Sequence, residues 1–362
     1  MPIARVHRLA ASGPDDASGL EAAIQAGAID PGGILAIFGK TEGNGCVNDF
    51  SRGFATQSLS LALARHIGPE RAAEVCYVMS GGTEGAMSPH WTVFERVEGD
   101  GLAGPALAIG RVHTAALPAE ALGRLGQVDQ VAEAVRAAMR QAAIEDPEDV
   151  HFVQIKCPLL TNRRIGEAEA RGVTVAVRDT LKSMGLSRGA SSLGVAVALG
   201  EVPRSAVSDV VIGRDFSLWS ARASASAGVE LSHHEVVVLG RSAAWSGLIT
   251  IDHAVMADAI DIEPVRAALA RVGLPADGQL DPRQRSHLVA LLAKAEASPD
   301  GELRGERHTM LDDSDISSTR HARAYVAGAL GGLVGRSMIY VSGGAEHQGP
   351  PGGGPVAVIV ER

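Results

Sequence analysis

The sequence predicts an α/β protein made of three structurally repeated units with pseudo-threefold symmetry. A motif of serine, small residue, glycine, any residue and glutamate occurs three times, at residues 80–84, 226–230 and 342–346. Upstream of each serine an apolar run ends in lysine, at Lys40, Lys156 and Lys294. Short apolar runs, typical of buried strands, alternate with helical patterns. Because one small layer cannot bury its apolar face alone, we expect three layers to share a core and to bring their strand ends together.

Composition and charge exclude several classes of protein. The 362-residue chain has a formal net charge of -9 and no lysine or arginine tract, which argues against a nucleic-acid partner. Residues 1–20 lack the apolar core of a signal peptide, and the apolar run at 324–335 is too short to span a membrane. The three cysteines show no paired spacing, which indicates reduced thiols. We therefore expect a soluble cytoplasmic protein with neither a nucleic-acid nor a membrane partner.

The first unit is predicted to contain two helices and three strands. Residues 20–26 show a short helical pattern, and residues 34–38 form an apolar run bounded by glycine, as buried strands do. Residues 56–67 predict an amphipathic helix, which Gly68 and Pro69 would end. Two more strands are predicted at residues 75–79 and 106–112.

The second and third units repeat this order. In the second, we predict a long helix with one apolar face at 118–143, strands at 150–155 and 235–240, and a helix or buried turn-rich segment at 190–199. The end of its last strand, Gly240 and Arg241, matches Gly110 and Arg111, so we interpret the two strands as equivalent. The predictions for the third unit are helices at 264–272 and 321–333 and strands at 288–293, 337–341 and 355–360. The units are predicted at residues 1–104, 112–249 and 254–362.

The recurring residue types suit one chemistry. Lysines that converge beside arginines in a buried site lose stability in the charged form, which lowers their pKa. A neutral lysine can take a proton from a serine hydroxyl and so create a nucleophile without histidine. The small residue after each serine exposes a backbone N–H to a carbonyl oxygen, and arginines offer planar forks to such oxygens. This combination favours a small planar ring with oxygens on three edges.

Other constellations are weaker. Adjacent residues such as His233 and His234 point to opposite faces of a strand, which disfavours a catalytic metal there. Cys157 directly follows Lys156 and is predicted to be a buried thiol instead of a nucleophile. No glycine-rich nucleotide-binding motif is present, so we expect no organic cofactor. The loop at 348–355 could, with Glu296, hold Mg²⁺ or Ca²⁺, or it could be a rigid loop without an ion.

Four segments resemble the cyanuric acid hydrolase/barbiturase family. They are residues 80–85, 154–158, 187–190 and 342–350, and the likeness extends over essentially the whole chain. The resemblance implies a threefold pseudosymmetric fold around a central β-barrel, and a homotetramer. It also implies a small-molecule substrate, cyanuric acid, whose s-triazine ring is opened by hydrolysis to carboxybiuret, which then loses CO₂ to give biuret.

The resemblance further implies a role for each matching residue. Lys156 and Ser226 would be the catalytic base and nucleophile, and Lys40 and Lys294 would support the other two serines. The residues that would bind the ring are Arg52, Ser80, Gly81, Arg188, Ser226, Ala227, Arg323, Ser342 and Gly343. Arg323 is selected over Arg320 by the family's spacing back from the last serine, and Arg320 would then discriminate between rings. The structural metal would be held by Glu296 and by carbonyls of Ala345, Gln348, Gly349, Pro350 and Gly353.

Two other functions remain open from the sequence. A barbiturase opens a pyrimidine ring by similar chemistry. A non-catalytic protein with the same residues would bind small planar anions and form no product.

Overall fold

Residues 1–102 and 104–362 are described by the computed structural model of the chain. The strands are β1 (Pro2–Ala10), β2 (Ile34–Thr41), β3 (Cys76–Gly81), β4 (His90–Glu98), β5 (Ala106–His113), β6 (Val150–Pro158), β7 (Ala223–Gly228), β8 (Glu235–Ser242), β9 (Ile249–Met256), β10 (Leu288–Ala295), β11 (Glu302–Leu303), β12 (Glu306–Arg307), β13 (Tyr340–Gly343) and β14 (Gly354–Glu361). The helices are α1 (Ser18–Gln25), α2 (Phe50–Ile67), α3 (Pro69–Ala73), α4 (Leu125–Gln141), α5 (Asn162–Ala170), α6 (Thr180–Ala198), α7 (Glu263–Arg271), α8 (Pro282–His287) and α9 (Ser318–Val334). The chain is therefore of mixed α/β class, as predicted.

Twelve of the strands form three four-stranded sheets with the same strand order. The orders are β1-β4-β2-β3, β5-β8-β6-β7 and β9-β14-β10-β13, and β11 and β12 form a separate pair. In each sheet the two strands named last are parallel, and they are joined by helices that cross over the sheet. The pairing register sets a lysine opposite a serine each time, as Lys40–Ser80, Lys156–Ser226 and Lys294–Ser342.

The strand predicted at 106–112 does not belong with the first unit's strands. It is β5, and it pairs antiparallel with β8, so that Gly110 lies opposite Val238. The place we assigned to it in the first sheet is taken by β4, which the sequence analysis missed. Both strands have glycine near the end because the backbone of another segment passes close by. A Cβ added at Gly110 would lie 1.9 Å from the carbonyl oxygen of Ala138, and one added at Gly240 would lie 2.3 Å from that of Asp149. The predicted unit boundaries stay a prediction.

The expected closed central β-barrel is not found in the described chain. The sheets remain three separate open sheets, and the bridges outside the named strands are two isolated ones, Ile3–Ser246 and Ser220–Gln348. The sheets instead meet through side chains. One buried cluster includes Phe38 from the first sheet, Ile155 from the second and Leu292 from the third. Lysine ammonium groups of one sheet also donate to backbone carbonyls at the edge of another sheet.

Helices cover the outer faces of the sheets. In the second unit α4 packs on α6 and β5, and in the third α9 packs on β10 and β13. Both α2 and α6 begin earlier than predicted, because the side chains of Asp49 and Asp179 cap their first turns. Within the described residues, we find no helix with the length and apolar character needed to cross a membrane.

Candidate active site

The three repeated serines lie together where the sheets meet. The Oγ atoms of Ser226 and Ser342 are 2.9 Å apart. Lys40 Nζ donates to Ser80 Oγ at 3.2 Å, and Lys294 Nζ donates to Ser342 Oγ at 3.3 Å. All of these side chains are buried. Residues that are far apart in sequence are thus joined in one polar centre.

The three lysines also link the sheets in a cycle. Lys40 donates to the carbonyl of Val341 at 2.8 Å, Lys156 to that of Met79 at 2.8 Å, and Lys294 to that of Ala225 at 2.9 Å. Each acceptor is the residue before a serine of another unit. Each lysine side chain thereby fixes the strand that presents a neighbouring serine.

Two arginines also connect the units, through the glutamates of the repeated motif, and the order of the units that they connect is opposite to that of the lysines. The Nε and Nη2 groups of Arg323 donate to the two carboxylate oxygens of Glu84 at 3.1 and 2.5 Å. Arg188 donates in the same way to Glu346 at 2.7 and 2.6 Å. In both pairs the arginine and the glutamate come from different units. The sequence analysis gave these glutamates no role, although their place in the repeated motif was the signal that could have found them.

The second unit departs from this arrangement. Glu230 lies 2.6 Å from Lys156 Nζ and 3.8 Å from Arg52 Nε, so it pairs mainly with the lysine. Arg52 donates instead to the carbonyls of Ala227 at 3.1 Å and Cys46 at 2.7 Å. Among the hydrogen bonds of the described residues, there is none from Lys156 to the Ser226 hydroxyl. Lys156 and Ser226 are therefore neighbours in register but not bonded partners.

Burial dominates the electrostatics of the lysines. It lowers the pKa of Lys294 to about 7, with help from Arg188, and lowers that of Lys40 well below the ordinary value, with help from Arg323. The pKa of Lys156 is also lowered by burial, although Glu230 opposes this effect. Burial raises the pKa of Glu230, but Lys156 and Arg52 together outweigh it and hold that pKa below its usual range. The site can thus hold uncharged amines near neutral pH.

All nine residues predicted to bind the ring line one small cavity at this centre. The other residues that line it are Gly45, Met79 and Met184. Arg320 lies outside it, in a wider depression that shares five lining residues with the cavity, namely Gly45, Met184, Arg188, Arg323 and Gly343. Cys157 is buried, and its thiol donates to the Ser226 carbonyl at 3.6 Å. Arg323 thus lines both the small cavity and the depression, whereas Arg320 lines only the depression.

Four of the six predicted metal ligands line a second cavity. Glu296, Ala345, Gly349 and Pro350 line it, while Gln348 and Gly353 do not. Burial and the nearby Glu346 raise the pKa of the Glu296 carboxyl, so a neighbouring positive charge would stabilise it. The Glu296 carboxylate accepts from the backbone N–H groups of Ala297 at 3.0 Å and Ala345 at 3.2 Å, and it offers oxygen atoms of the kind that Mg²⁺ or Ca²⁺ prefers. The residues present therefore fit a hard divalent ion.

Comparison with known proteins gives consistent matches over the full chain. A model of the family described as amidohydrolase ring-opening protein matches residues 5–361. A cyanuric acid amidohydrolase of Azorhizobium caulinodans is 67% identical, over 100% of this chain and 99% of that protein. One from Bradyrhizobium sp. is 61% identical, over 99% and 98% respectively. The solved structure of the cyanuric acid hydrolase from A. caulinodans matches with a TM-score of 0.94, at 67% identity, and covers 100% of this chain and 99% of that chain.

Proposed function

This chain belongs to the family of amidohydrolase ring-opening proteins, and from that premise we propose that it hydrolyses the s-triazine ring of cyanuric acid. The immediate product is carboxybiuret, which loses CO₂ to give biuret. The observation that carries the proposal is the cavity lined by three serines from three sheets and three arginines from three helices. A planar ring with three carbonyl edges matches the polarity of that lining and its division among three units.

In the proposed mechanism Ser226 is the nucleophile. Its Oγ attacks a ring carbonyl carbon while its proton passes to a lysine, for which we propose Lys156. The ring C–N bond then breaks, and the nitrogen takes the proton back from the lysine. Water hydrolyses the resulting carbamoyl ester, so that one water is consumed for each ring opened. The Ala227 backbone N–H beside Ser226 would stabilise the carbonyl oxygen as it becomes negative.

Arg52, Arg188 and Arg323 would hold the ring oxygens, one at each edge. Two of these guanidinium groups are oriented by glutamates of another unit, so they keep their direction without the ring. Preorganised donors of this kind stabilise charge on the ring as it is attacked. We further propose that the three sheets are related by a pseudo-threefold axis through the cavity, which is supported by their common strand order and by the lysine cycle.

The test is turnover of the purified protein with cyanuric acid, measured as loss of ultraviolet absorbance and formation of biuret. Barbituric acid is assayed in parallel. We expect cyanuric acid to be consumed, and Ser226→Ala to keep ring binding in calorimetry while it loses at least about a thousandfold in kcat. Turnover of barbituric acid alone would identify a barbiturase, and saturable binding without product would identify a binding protein.

We also propose a structural Mg²⁺ or Ca²⁺ at Glu296 and the neighbouring carbonyls. Such an ion would neutralise a carboxylate that burial and Glu346 otherwise destabilise. Chelation is expected to lower the melting temperature, and Mg²⁺ or Ca²⁺ should restore it. Glu296→Gln provides the control, because a chelator should no longer change its melting temperature. An equal effect of the chelator on both proteins would contradict this assignment.

We propose, finally, that the chain forms a homotetramer in the cytoplasm. Phe50, Phe54 and Leu61 lie on one face of α2, and their exposed fractions of 81%, 49% and 61% make an apolar stripe suited to a partner subunit. The three cysteines are free thiols, which supports a reducing compartment. Light scattering on the purified protein should give a mass of four chains, and a monomer would contradict the assembly.

A further inference from the structure

Tyr340 lies close to the hydroxyls of Ser226 and Ser80. It lies on β13 two residues before Ser342, so both side chains leave the same face of the strand, toward the site. The corresponding positions, two residues before the other motif serines, are Val78 on β3 and Ser224 on β7. Of the three positions, only this one has a phenol.

The Tyr340 side chain is held rigidly. It has no exposed surface, its ring centroid is 5.9 Å from that of Phe38, and Lys40 Nζ lies 5.9 Å from its ring centroid. A buried aromatic ring packed in this way keeps its hydroxyl at one place. The phenol therefore cannot turn to solvent to find a partner.

The hydroxyl of Tyr340 makes no hydrogen bond to any described residue. The Ser226 and Ser80 hydroxyls lie close enough to influence it, yet neither meets hydrogen-bonding geometry. Burial raises its pKa and the two serines oppose this effect, so the group stays protonated near neutral pH and its O–H is available as a donor. An unsatisfied buried hydroxyl costs stability and calls for an explanation. Tyr77 shows the ordinary arrangement, with its hydroxyl bonded to the Ala72 carbonyl at 3.0 Å.

We propose that Tyr340 is a positioning residue, whose hydroxyl donates a hydrogen bond to Ser226 Oγ while that oxygen attacks the ring. This inference rests on the proposed function. As Ser226 loses its proton, its oxygen gains negative charge, and a fixed donor nearby stabilises that charge more than it stabilises the neutral serine. Tyr340 keeps its own proton throughout, so the bonds made and broken in the reaction are unchanged. The third unit would thereby favour Ser226 over the other serines as nucleophile.

The test compares Tyr340→Phe with the matched variant Tyr77→Phe, which also removes one buried phenol hydroxyl. We expect Tyr340→Phe to lower kcat about tenfold to a hundredfold on cyanuric acid and to leave KM within about threefold. Its melting temperature should stay equal or rise, because no existing hydrogen bond is lost. Tyr77→Phe should show the opposite result, with a lower melting temperature and unchanged kcat, because it breaks the bond to Ala72.

Other results decide against the inference. A Tyr340→Phe enzyme with wild-type kcat, or one changed in KM alone, would overturn it. A melting temperature that falls together with kcat would assign Tyr340 a structural role and would also overturn it. If the wild-type protein does not open the cyanuric acid ring, the proposed function itself fails and the inference falls with it. Wild-type turnover with an unimpaired variant refutes only the role of Tyr340.

Discussion

At the scale of single residues, the distinctive group is Glu230. In the first and third units the motif glutamates orient an arginine, through the pairs Glu84–Arg323 and Glu346–Arg188. Glu230 instead contacts Lys156 at 2.6 Å. A carboxylate beside an ammonium favours the protonated lysine, so Glu230 counteracts the effect of burial on the Lys156 pKa. The same motif residue thus contacts a lysine in one unit and a guanidinium group in the others.

Replacing Glu230 by glutamine should therefore shift the pH dependence of turnover. The amide no longer stabilises the ammonium, so the Lys156 pKa falls and less alkaline conditions suffice to deprotonate it. We expect the ascending limb of the kcat–pH profile to move to lower pH, by about one unit. The control is Glu84→Gln, which releases Arg323 and should raise KM while it leaves the limb in place. If the ascending limb of the Glu230→Gln profile stays in place or moves to higher pH, the assignment of Lys156 as the base is contradicted.

At the scale of elements, three helices deliver the arginines to one cavity. Arg52 lies in the first turn of α2, Arg323 in the second turn of α9, and Arg188 deeper within α6. The start of α2 is fixed by Asp49, whose carboxylate accepts from the backbone N–H groups of Ser51 at 3.0 Å and Gly45 at 2.8 Å. The end of β3 passes close to this carboxylate. The strand end and the helix start are thus packed as one rigid unit.

That close approach explains why Gly81 follows the first serine. An added Cβ at Gly81 would lie 1.6 Å from an Asp49 carboxylate oxygen, so Gly81→Ala must displace the α2 cap and Arg52 with it. We expect the variant to lose about 1–3 kcal/mol of unfolding free energy, measured by urea denaturation, and most of its activity. Ala227→Gly, at the matching position of the second unit, is the control and should keep most of its activity. Comparable losses in the two variants would show that crowding at Gly81 is not the cause.

At the scale of the whole molecule, a pair of histidines joins two of the sheets. His151 on β6 and His253 on β9 belong to different sheets, and their Nδ1 atoms are 2.9 Å apart. Burial lowers the pKa of His151 to about 3 and that of His253 to about 4. His90 and His234 are also buried, and burial lowers their pKa values to about 4 and about 3. Folding thus keeps these four imidazoles neutral.

Stability is therefore expected to fall in mild acid. In the unfolded chain a histidine binds a proton near pH 6.5, but in the folded protein it does so only near pH 3 to 4. The contribution is complete above pH 6.5 and is lost as the pH falls toward 4, by about 1 kcal/mol per histidine for the first unit of pH. Urea unfolding at a series of pH values measures it. His151→Gln should flatten the dependence and the half-exposed His321→Gln should not; equal slopes in all three proteins would contradict this explanation.

Much of this protein could be predicted from short stretches of its sequence. The strands that carry the lysines, the glycine turns after the serines and the type of most helices follow from patterns within about ten residues, because such patterns depend on local backbone preferences and on one buried face. The repetition of Lys40 with Ser80 in two later segments was sufficient to predict that these groups converge. Lysine and serine duly lie opposite each other on paired strands in all three sheets.

Only the tertiary structure decided which distant groups become partners. Nothing local to β5 selects β8 as its neighbour, and nothing near Glu230 shows that it pairs with Lys156 and not with an arginine. The sequence around Tyr340 is likewise that of an ordinary strand. Only the folded structure shows that its hydroxyl lies near Ser226 and Ser80 and has no hydrogen-bond partner among the described residues. The physical reason is that partners across three sheets are chosen by packing and by the balance of burial and charge. These quantities depend on residues that are far apart in the sequence.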